Sequence, residues 1–168
     1  SDGTFVRSFG GPGKQPGQFV RPQSIAFGPG GREVFVADAC NHRIQAFRPD
    51  GTFERAFGTV GDAPGQFAYP YGLRALADGS LLVTEFGNNR IQRVDAADGR
   101  CLGWGSMVEG APAPVTLQLV DGDRMRSVPS GVNMLRFPWA AAVRGDRAYV
   151  LDSGHSRVLV FPLASLPA

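Results

Sequence analysis

One short segment of this chain occurs three times. VADACNHRIQAF at residues 36–47 returns as VTEFGNNRIQRV at 83–94 and as VLDSGHSRVLVF at 150–161. The arginines of the first two copies, Arg43 and Arg90, lie 47 residues apart. A repeat with a period of this length is typical of proteins that stack copies of one supersecondary unit, so the unit and its copy number determine the fold.

Each unit contains four short apolar pieces separated by turn signals. In the first unit the pieces are Gln23–Phe27, Glu33–Ala37, Arg43–Arg48 and Thr52–Phe57, and the turns contain GPGG, DACN and PDG. The glycines of these turns supply the positive φ that hairpins need. The pieces are too short and too rich in Val, Ile and Phe for helices. Four antiparallel strands repeated every 40–50 residues predict the blade of a β-propeller.

The signature of the first copy resembles the NHL repeat. The run D-x-x-N-H-R-I-Q-x-F is followed by D-G-T-F and later by G-x-F-x-x-P, and it places Asp38, Asn41, His42, Arg43 and Ile44 at the signature positions. The resemblance extends over residues 3–105 and 137–161. Proteins of this family form propellers, commonly with six blades. The resemblance therefore implies an all-β, NHL-type β-propeller made of three four-stranded blade units.

The whole chain, 1–168, is interpreted as one propeller segment. The blade units span about 17–57, 65–105 and 137–161, with an outer strand at 3–10 and an insertion hairpin within about 106–135. The third unit has no fourth strand after Phe161, and the segment 3–10 is an outer strand without a blade. We expect it either to complete the third unit by strand exchange or to belong to a preceding blade. Three units predict half of a six-bladed ring, completed by a second copy or by the remainder of a longer protein.

The insertion has its own strand pattern. VTLQLV and RMRSV flank an Asp-Gly pair, which predicts a hairpin. We expect this hairpin to project from the rim between the second and third units. An insertion of this kind either carries function or is tolerated without one.

An acidic residue five positions before an arginine recurs in every copy. The pairs are Asp38 with Arg43, Glu85 with Arg90, and Asp152 with Arg157. A fork-shaped ion pair that ties each hairpin and bridges blades is the structural interpretation. A ring of ligand-binding arginines is the functional alternative.

The segments that lead into the innermost strands form a candidate ligand-binding rim. Its residues are Arg21, Gln23, Tyr69, Tyr71, Arg74, Arg136 and Trp139. Arg74 departs from the repeat, because the other two units have Ala26 and Ala142 there. Aromatic rings interleaved with arginines suit the bases and phosphates of single-stranded RNA. The alternative is that the aromatic side chains cap the apolar interior between blades.

Nothing in the sequence predicts a catalytic residue, a metal site or a cofactor. No nucleophile or phosphate-binding motif is present, and His42 and His155 occupy non-equivalent positions without ligand spacing. We therefore expect a non-catalytic scaffold that recognises a protein partner or single-stranded RNA. The alternatives are a propeller enzyme of the lyase or hydrolase kind with a site in the axial channel, and a structural subunit of a large assembly.

Composition adds little to these expectations. The net charge is +2, with 16 arginines and one lysine, Lys14. No apolar run approaches the roughly 18 residues of a membrane span, so no membrane contact is predicted. Cys40 and Cys101 fall at non-equivalent positions and are expected to be free thiols, which favours a cytoplasmic location without establishing one.

Overall fold

The computed structural model describes residues 3–105, 118–121, 124–127 and 135–163, and these form three antiparallel sheets. Sheet 1 contains β1 (Pro22–Phe27), β2 (Val34–Asp38), β3 (Arg43–Phe47) and β4 (Phe53–Phe57). Sheet 2 contains β5 (Pro70–Ala75), β6 (Ser80–Glu85), β7 (Arg90–Asp95) and β8 (Cys101–Gly105). The strands of both sheets pair in chain order, and those of sheet 1 begin and end within one residue of the predicted positions. The predicted all-β blade architecture is confirmed.

Sheet 3 has an additional hairpin at its edge. The insertion contributes β9 (Gln118–Asp121) and β10 (Arg124–Ser127), which pair with each other. They are followed by β11 (Pro138–Arg144), β12 (Arg147–Asp152) and β13 (Arg157–Pro162), and the order in the sheet is β10-β9-β13-β12-β11.

This arrangement corrects two expectations about the third unit. The hairpin does not project from the rim between units, and β13 is not left without a neighbour. Instead β9 pairs with β13 at Leu159 and Val160 and takes the place of the fourth strand. The physical reason is that the outer edge of β13 exposes backbone groups, which a nearby hairpin can satisfy. The remainder of the insertion lies outside the described residues.

The innermost strand of each sheet contains a β-bulge at the same position. In β1, Pro22 pairs with Asp38 but Ser24 pairs with Ala37, so Gln23 is an extra residue. The same shift leaves Tyr71 as the extra residue in β5 and Trp139 in β11. The residues before the three prolines, Arg21, Tyr69 and Phe137, have φ of 60°, 50° and 52°. A bulge redirects a side chain away from the two faces of the sheet, and here it does so at one end of every inner strand.

The core contains two apolar layers between the sheets and a third cluster, Val34, Val36 and Phe47, on the other face of sheet 1. Phe35 and Ile44 of sheet 1 pack against Leu81 and Val83 of sheet 2. The intervening residue Leu82 points the other way, into the layer shared with sheet 3. This alternation follows from the two-residue period of a strand. A fully buried side chain of this size contributes about 1.5–3 kcal/mol, so both layers stabilise the stack of sheets.

The N-terminal segment 3–10 lies against sheet 1 without forming a strand in the described structure. The Phe9 ring packs on Phe47 with centroids 5.1 Å apart. A Cβ on Gly51 would lie 2.7 Å from the Phe9 side chain, and a Cβ on Gly99 would be similarly close to Phe57. The segment therefore lies against sheet 1 as β4 lies against sheet 2. This geometry matches the outer strand of a preceding unit, and the segment makes no strand pairing with sheet 3.

Two further properties of the described part bear on the sequence analysis. None of its helices has the length and apolar character required to cross a bilayer. Cys40 and Cys101 are free and partly buried, as their non-equivalent positions predict.

Candidate functional site

Four aromatic rings meet where β5 and β11 begin. Phe86 stacks on Tyr71 and on Phe137, with centroid distances of 4.7 Å in both cases. Trp139 meets the Tyr71 ring edge-on at 5.0 Å. We call Tyr71, Phe86, Phe137 and Trp139 the aromatic cluster. It spans two sheets: Tyr71 and Phe86 belong to sheet 2, and Phe137 and Trp139 lie at the start of β11 in sheet 3.

The aromatic cluster has an outer and an inner layer. The side chain of Trp139 is 44% exposed and that of Phe137 is more than a third exposed. Tyr71 is buried beneath them and supports their rings. Tyr69 is also exposed and packs edge-on against His42, with ring centroids 4.6 Å apart. The rim therefore presents open aromatic surface held by a packed layer.

Two exposed arginines flank the aromatic cluster. The guanidinium carbon of Arg21 is 5.8 Å from the Tyr71 centroid, and that of Arg136 is 5.4 Å from the Phe137 centroid. These distances are within the range of cation–π attraction. Arg74 is exposed on β5 but makes no ring contact with the cluster among the described residues, and neither does Gln23. Of the predicted rim residues, the structure thus brings Arg21, Tyr71, Arg136 and Trp139 to the aromatic cluster, whereas Tyr69 packs on His42.

Hydrogen bonds from backbone N–H groups to side chains of the preceding sheet hold the rim residues in place. The Tyr69 N–H donates to His42 Nδ1 at 3.2 Å, and the Phe137 N–H donates to Asn89 Oδ1 at 2.8 Å. His42 and Asn89 occupy equivalent left-handed positions, with φ of 54° and 52°. Because Nδ1 accepts a hydrogen bond, His42 carries its proton on Nε2 in this arrangement. Its contacts are those of a turn residue that connects neighbouring sheets.

The first acid–arginine pair belongs to a buried network. Asp38 has no exposed surface and accepts hydrogen bonds from Arg43 Nε at 2.9 Å, Asn41 Nδ2 at 2.8 Å and the Val20 N–H at 2.7 Å. The other end of the Arg43 guanidinium donates to the carbonyl of Gln18 at 2.9 Å. Both side chains therefore hold the loop that leads into β1.

The second and third pairs form in the same way. Glu85 accepts from Arg90 Nε and Asn88 Nδ2, both at 2.6 Å. Asp152 lies 2.7 Å from Arg157 Nε and accepts from the Arg136 N–H at 2.7 Å. The guanidinium groups of Arg43 and Arg90 donate to backbone carbonyls of the loop that enters their own sheet. Hydrogen bonds between sheets involve other side chains, among them His42, Asn89 and Thr84, which the sequence analysis did not assign to this role.

The charges at the rim follow from these networks. The carboxylates of Asp38, Glu85 and Asp152 are buried and paired, whereas Arg21 and Arg136 are exposed beside the aromatic cluster. Within the described ranges, no three His, Cys, Asp or Glu side chains converge in a way that could hold a metal ion.

Two members of the aromatic cluster were not among the predicted rim residues: Phe137, which precedes a shared proline, and Phe86, which lies outside the proline segments. Phe86 departs from the repeat. Its equivalents in the other two units are Ala39 and Ser153, directly after the paired acid. A large ring at a position where the other units have small residues is a departure from the repeat that the sequence shows. Arg74 departs from the repeat in the same way. Phe86 lies in the turn after the paired acid Glu85, and the segments around the shared prolines do not include this position.

Comparison with known proteins agrees with this architecture. Residues 19–47 match the NHL repeat family. A gluconolactonase from Xanthomonas campestris superposes with a TM-score of 0.53 at 16% identity, over 89% of this chain and 39% of that one. A luciferin-regenerating enzyme gives 0.55 at 16% identity, over 90% and 48%, and the hydrazine synthase of Kuenenia stuttgartiensis gives 0.52 at 14%, over 94% and 38%. No curated protein matches the sequence.

These likenesses are informative about the fold. Identities of 14–16% establish a shared architecture, and the chain spans less than half the length of each of these structures. The NHL match falls on the first sheet, from the loop that enters β1 to the end of β3. The chain therefore carries an NHL repeat and has the fold of an NHL-type β-propeller.

Proposed function

We propose that this chain is a non-catalytic recognition scaffold that binds single-stranded RNA at its rim. The observation that carries the proposal is the open aromatic surface of Tyr69, Phe137 and Trp139, flanked by Arg21 and Arg136. Every base has a π face, so exposed rings bind single strands through stacking worth about 1–3 kcal/mol per base. Exposed guanidinium groups add attraction to phosphates.

The burial of the repeat acids favours an anionic ligand. Asp38, Glu85 and Asp152 are neutralised inside the loops, which leaves the positive charge of Arg21 and Arg136 at the rim surface. A protein partner is the other class that such a rim suits, since exposed aromatic side chains and arginines also anchor protein interfaces. The charge asymmetry argues for RNA, and a protein ligand becomes an outcome of the test.

Fluorescence anisotropy with a labelled oligouridine of about 12 nucleotides tests this proposal. Trp139→Ala should weaken binding by about 1–3 kcal/mol, which is roughly 5- to 150-fold. Arg21→Ala should reduce the slope of log affinity against log salt by about 0.7. Arg48→Ala is the matched control, because Arg48 is exposed at the opposite end of β3.

The outcomes separate the partner classes. Tight binding that responds to Trp139→Ala and to salt supports RNA recognition. Absence of RNA binding, or binding that neither salt nor Trp139→Ala affects, would reject it and leave a protein ligand as the recognition target.

An enzymatic function is the second candidate. Its support is the likeness of the fold to a gluconolactonase and a luciferin-regenerating enzyme. Hydrolysis of a gluconolactone by the purified chain, followed by the acid released, would favour this alternative, particularly if Trp139→Ala left the rate unchanged.

A further inference from the structure

We propose that the rim holds its RNA strand at two equivalent subsites, one at each boundary between neighbouring sheets. The first subsite consists of Tyr69 and His42, between sheets 1 and 2, and the second of Phe137 and Asn89, between sheets 2 and 3. This inference rests on the proposed RNA recognition and adds the spacing of the contacts along the strand. Both boundaries lie between sheets of this chain, so the subsites need no further sheet.

The residue before each shared proline has a backbone conformation that large side chains rarely adopt. Tyr69 and Phe137 have φ of 50° and 52°, and Arg21 of sheet 1 has φ of 60°. Residues before proline otherwise prefer an extended backbone, and a positive φ is unusual for a bulky side chain. Such outliers persist where the surrounding structure enforces them, and they cluster at ligand-binding sites. Because all three sheets share this conformation, it belongs to the repeat and not to one loop.

The residue that precedes each ring is fixed at both of its backbone polar groups. In sheet 2 the Ala68 N–H donates to the Glu85 carboxylate at 3.0 Å, and the Ala68 carbonyl accepts the Gly87 N–H at 3.0 Å. In sheet 3 the Arg136 N–H donates to Asp152 and the Arg136 carbonyl accepts an N–H from the turn after β12, both at 2.7 Å. The buried acids therefore support the rim as well as the hairpins.

The ring residue itself is held by the neighbouring sheet. Its N–H donates to His42 in the first subsite and to Asn89 in the second. These two acceptors differ in chemistry, but each lies four residues after the paired acid and has a left-handed backbone. The hydrogen bond is therefore a property of the boundary. In the proposal His42 and Asn89 are positioning residues, which fix the ring residues without contacting the bases.

Each subsite presents one ring to solvent. Tyr69 is 42% exposed and Phe137 is 38% exposed. Because the two rings share the same backbone conformation and the same anchors, they leave the rim in equivalent ways. Rings held in this manner lose little conformational freedom on binding, and an aromatic face stacks on any base. A single strand of RNA offers such a base at every nucleotide, whereas a free nucleotide can occupy only one subsite.

A length series measures whether the two subsites act on one strand. Fluorescence anisotropy is recorded with labelled oligouridines of about 2 to about 12 nucleotides. The affinity of the wild type should increase with length until the strand reaches both rings and then level off. Tyr69→Ala should weaken the binding of long oligomers by about 5- to 150-fold and move the plateau to a shorter length. Phe137→Ala should have the same two effects. A general loss of folded protein would not move the plateau.

Matched variants separate the ring from its surroundings. Tyr69→Phe keeps the ring and removes only the hydroxyl, so it should bind as the wild type does. Circular dichroism verifies that each variant is folded, and Tyr69→Leu, which has bulk without an aromatic face, replaces Tyr69→Ala if that variant unfolds.

The positioning residues are tested by exchange of the acceptor. His42→Ala should weaken the binding of long oligomers and shorten the plateau length, because the Tyr69 N–H loses its acceptor and the ring is no longer fixed. His42→Asn should restore both, since asparagine accepts the equivalent N–H in the second subsite. The plateau length reports on the subsite, so it distinguishes positioning from a change in stability alone.

The outcomes distinguish this inference from the proposed function. If Trp139→Ala weakens RNA binding while Tyr69→Ala changes neither the affinity nor the plateau, the two-subsite arrangement is wrong and RNA recognition at the aromatic cluster stands. Equal affinity of the wild type for the shortest and longest oligomers would have the same meaning. Absence of oligouridine binding by the wild type would overturn both proposals.

Discussion

Replacing Arg90 with alanine tests whether the repeated arginines stabilise the fold or bind a ligand. Arg90 is buried and its Nε donates to Glu85, which has no exposed surface. The opposite end of the guanidinium donates to the carbonyls of Ala63 and Gln66 in the loop that enters β5. Arg90→Ala leaves the Glu85 carboxylate buried without its counter-charge.

The expected cost follows from this geometry. Removing one partner of a buried ion pair destabilises a protein by about 3–5 kcal/mol. Glu85 keeps hydrogen bonds from Asn88, Gln92 and the Ala68 N–H, which places the estimate near the lower limit. A loss of about 3 kcal/mol is a large share of a typical stability of 5–15 kcal/mol. It corresponds to a decrease in Tm of about 6–12 °C for a chain of this size.

Unfolding in guanidinium chloride, monitored by fluorescence, measures the loss of stability. The midpoint should fall while the m-value stays constant, because the surface exposed on unfolding is unchanged. Arg48→Ala is the matched control, since its exposed pair with Glu54 should contribute little to stability. Unchanged stability of Arg90→Ala together with loss of RNA binding would refute the structural interpretation and support a ring of ligand-binding arginines.

Three further substitutions test other contacts. His42→Ala should cost about 1–2 kcal/mol, because it removes an acceptor at a left-handed position, while His42→Asn should be nearly neutral in the same denaturation assay, as asparagine serves there in sheet 2. Gly72→Ala would place a Cβ 2.8 Å from the backbone of sheet 3 and should destabilise by about 1–3 kcal/mol, whereas Gly11→Ala meets nothing within 4 Å and should leave the unfolding midpoint unchanged. Hydrogen bonds from Ser80 hold the pKa of Asp78 below its ordinary value of 3.8, so this carboxylate stabilises the fold above that pH and ceases to do so as the pH falls through its folded pKa. Asp78→Asn should therefore lower the Tm at neutral pH, and the difference should vanish in scans at successively lower pH; a difference that persists would contradict this.

The repeat made the blade architecture predictable. Once Arg43 and Arg90 were aligned, each apolar piece of one unit had an equivalent in the next, and the strands of sheet 1 follow that alignment closely. The acid–arginine contacts were predictable for the same reason, because a strand–turn–strand connection brings residues five apart together. Both features depend on residues close together in the sequence, and the three internal copies allow them to be recognised in one chain.

Non-local contacts were harder to predict. Three other strands, β10 to β12, separate β9 from β13 in the chain. Hairpin rules apply to consecutive strands, so they did not indicate this pairing. Phe86 joins the rim from a turn that the repeat gave no reason to associate with the proline segments. Arg74 was singled out by its departure from the repeat, but an exposed position on a strand does not determine which neighbours a long side chain contacts.

The bulge in each innermost strand places one side chain at the rim without changing which residues of that strand pack in the core. The residues on either side of it, Pro22 with Ser24 in β1 and their equivalents in β5 and β11, keep the strand in register. The bulged residue belongs to neither apolar layer, and its three occupants are an amide, a phenol and an indole. Trp139 is exposed, so a substitution there should cost little stability, whereas Tyr71 is buried beneath the aromatic cluster and its replacement should cost more. The exposed bulge position can therefore vary while the stack of sheets stays the same.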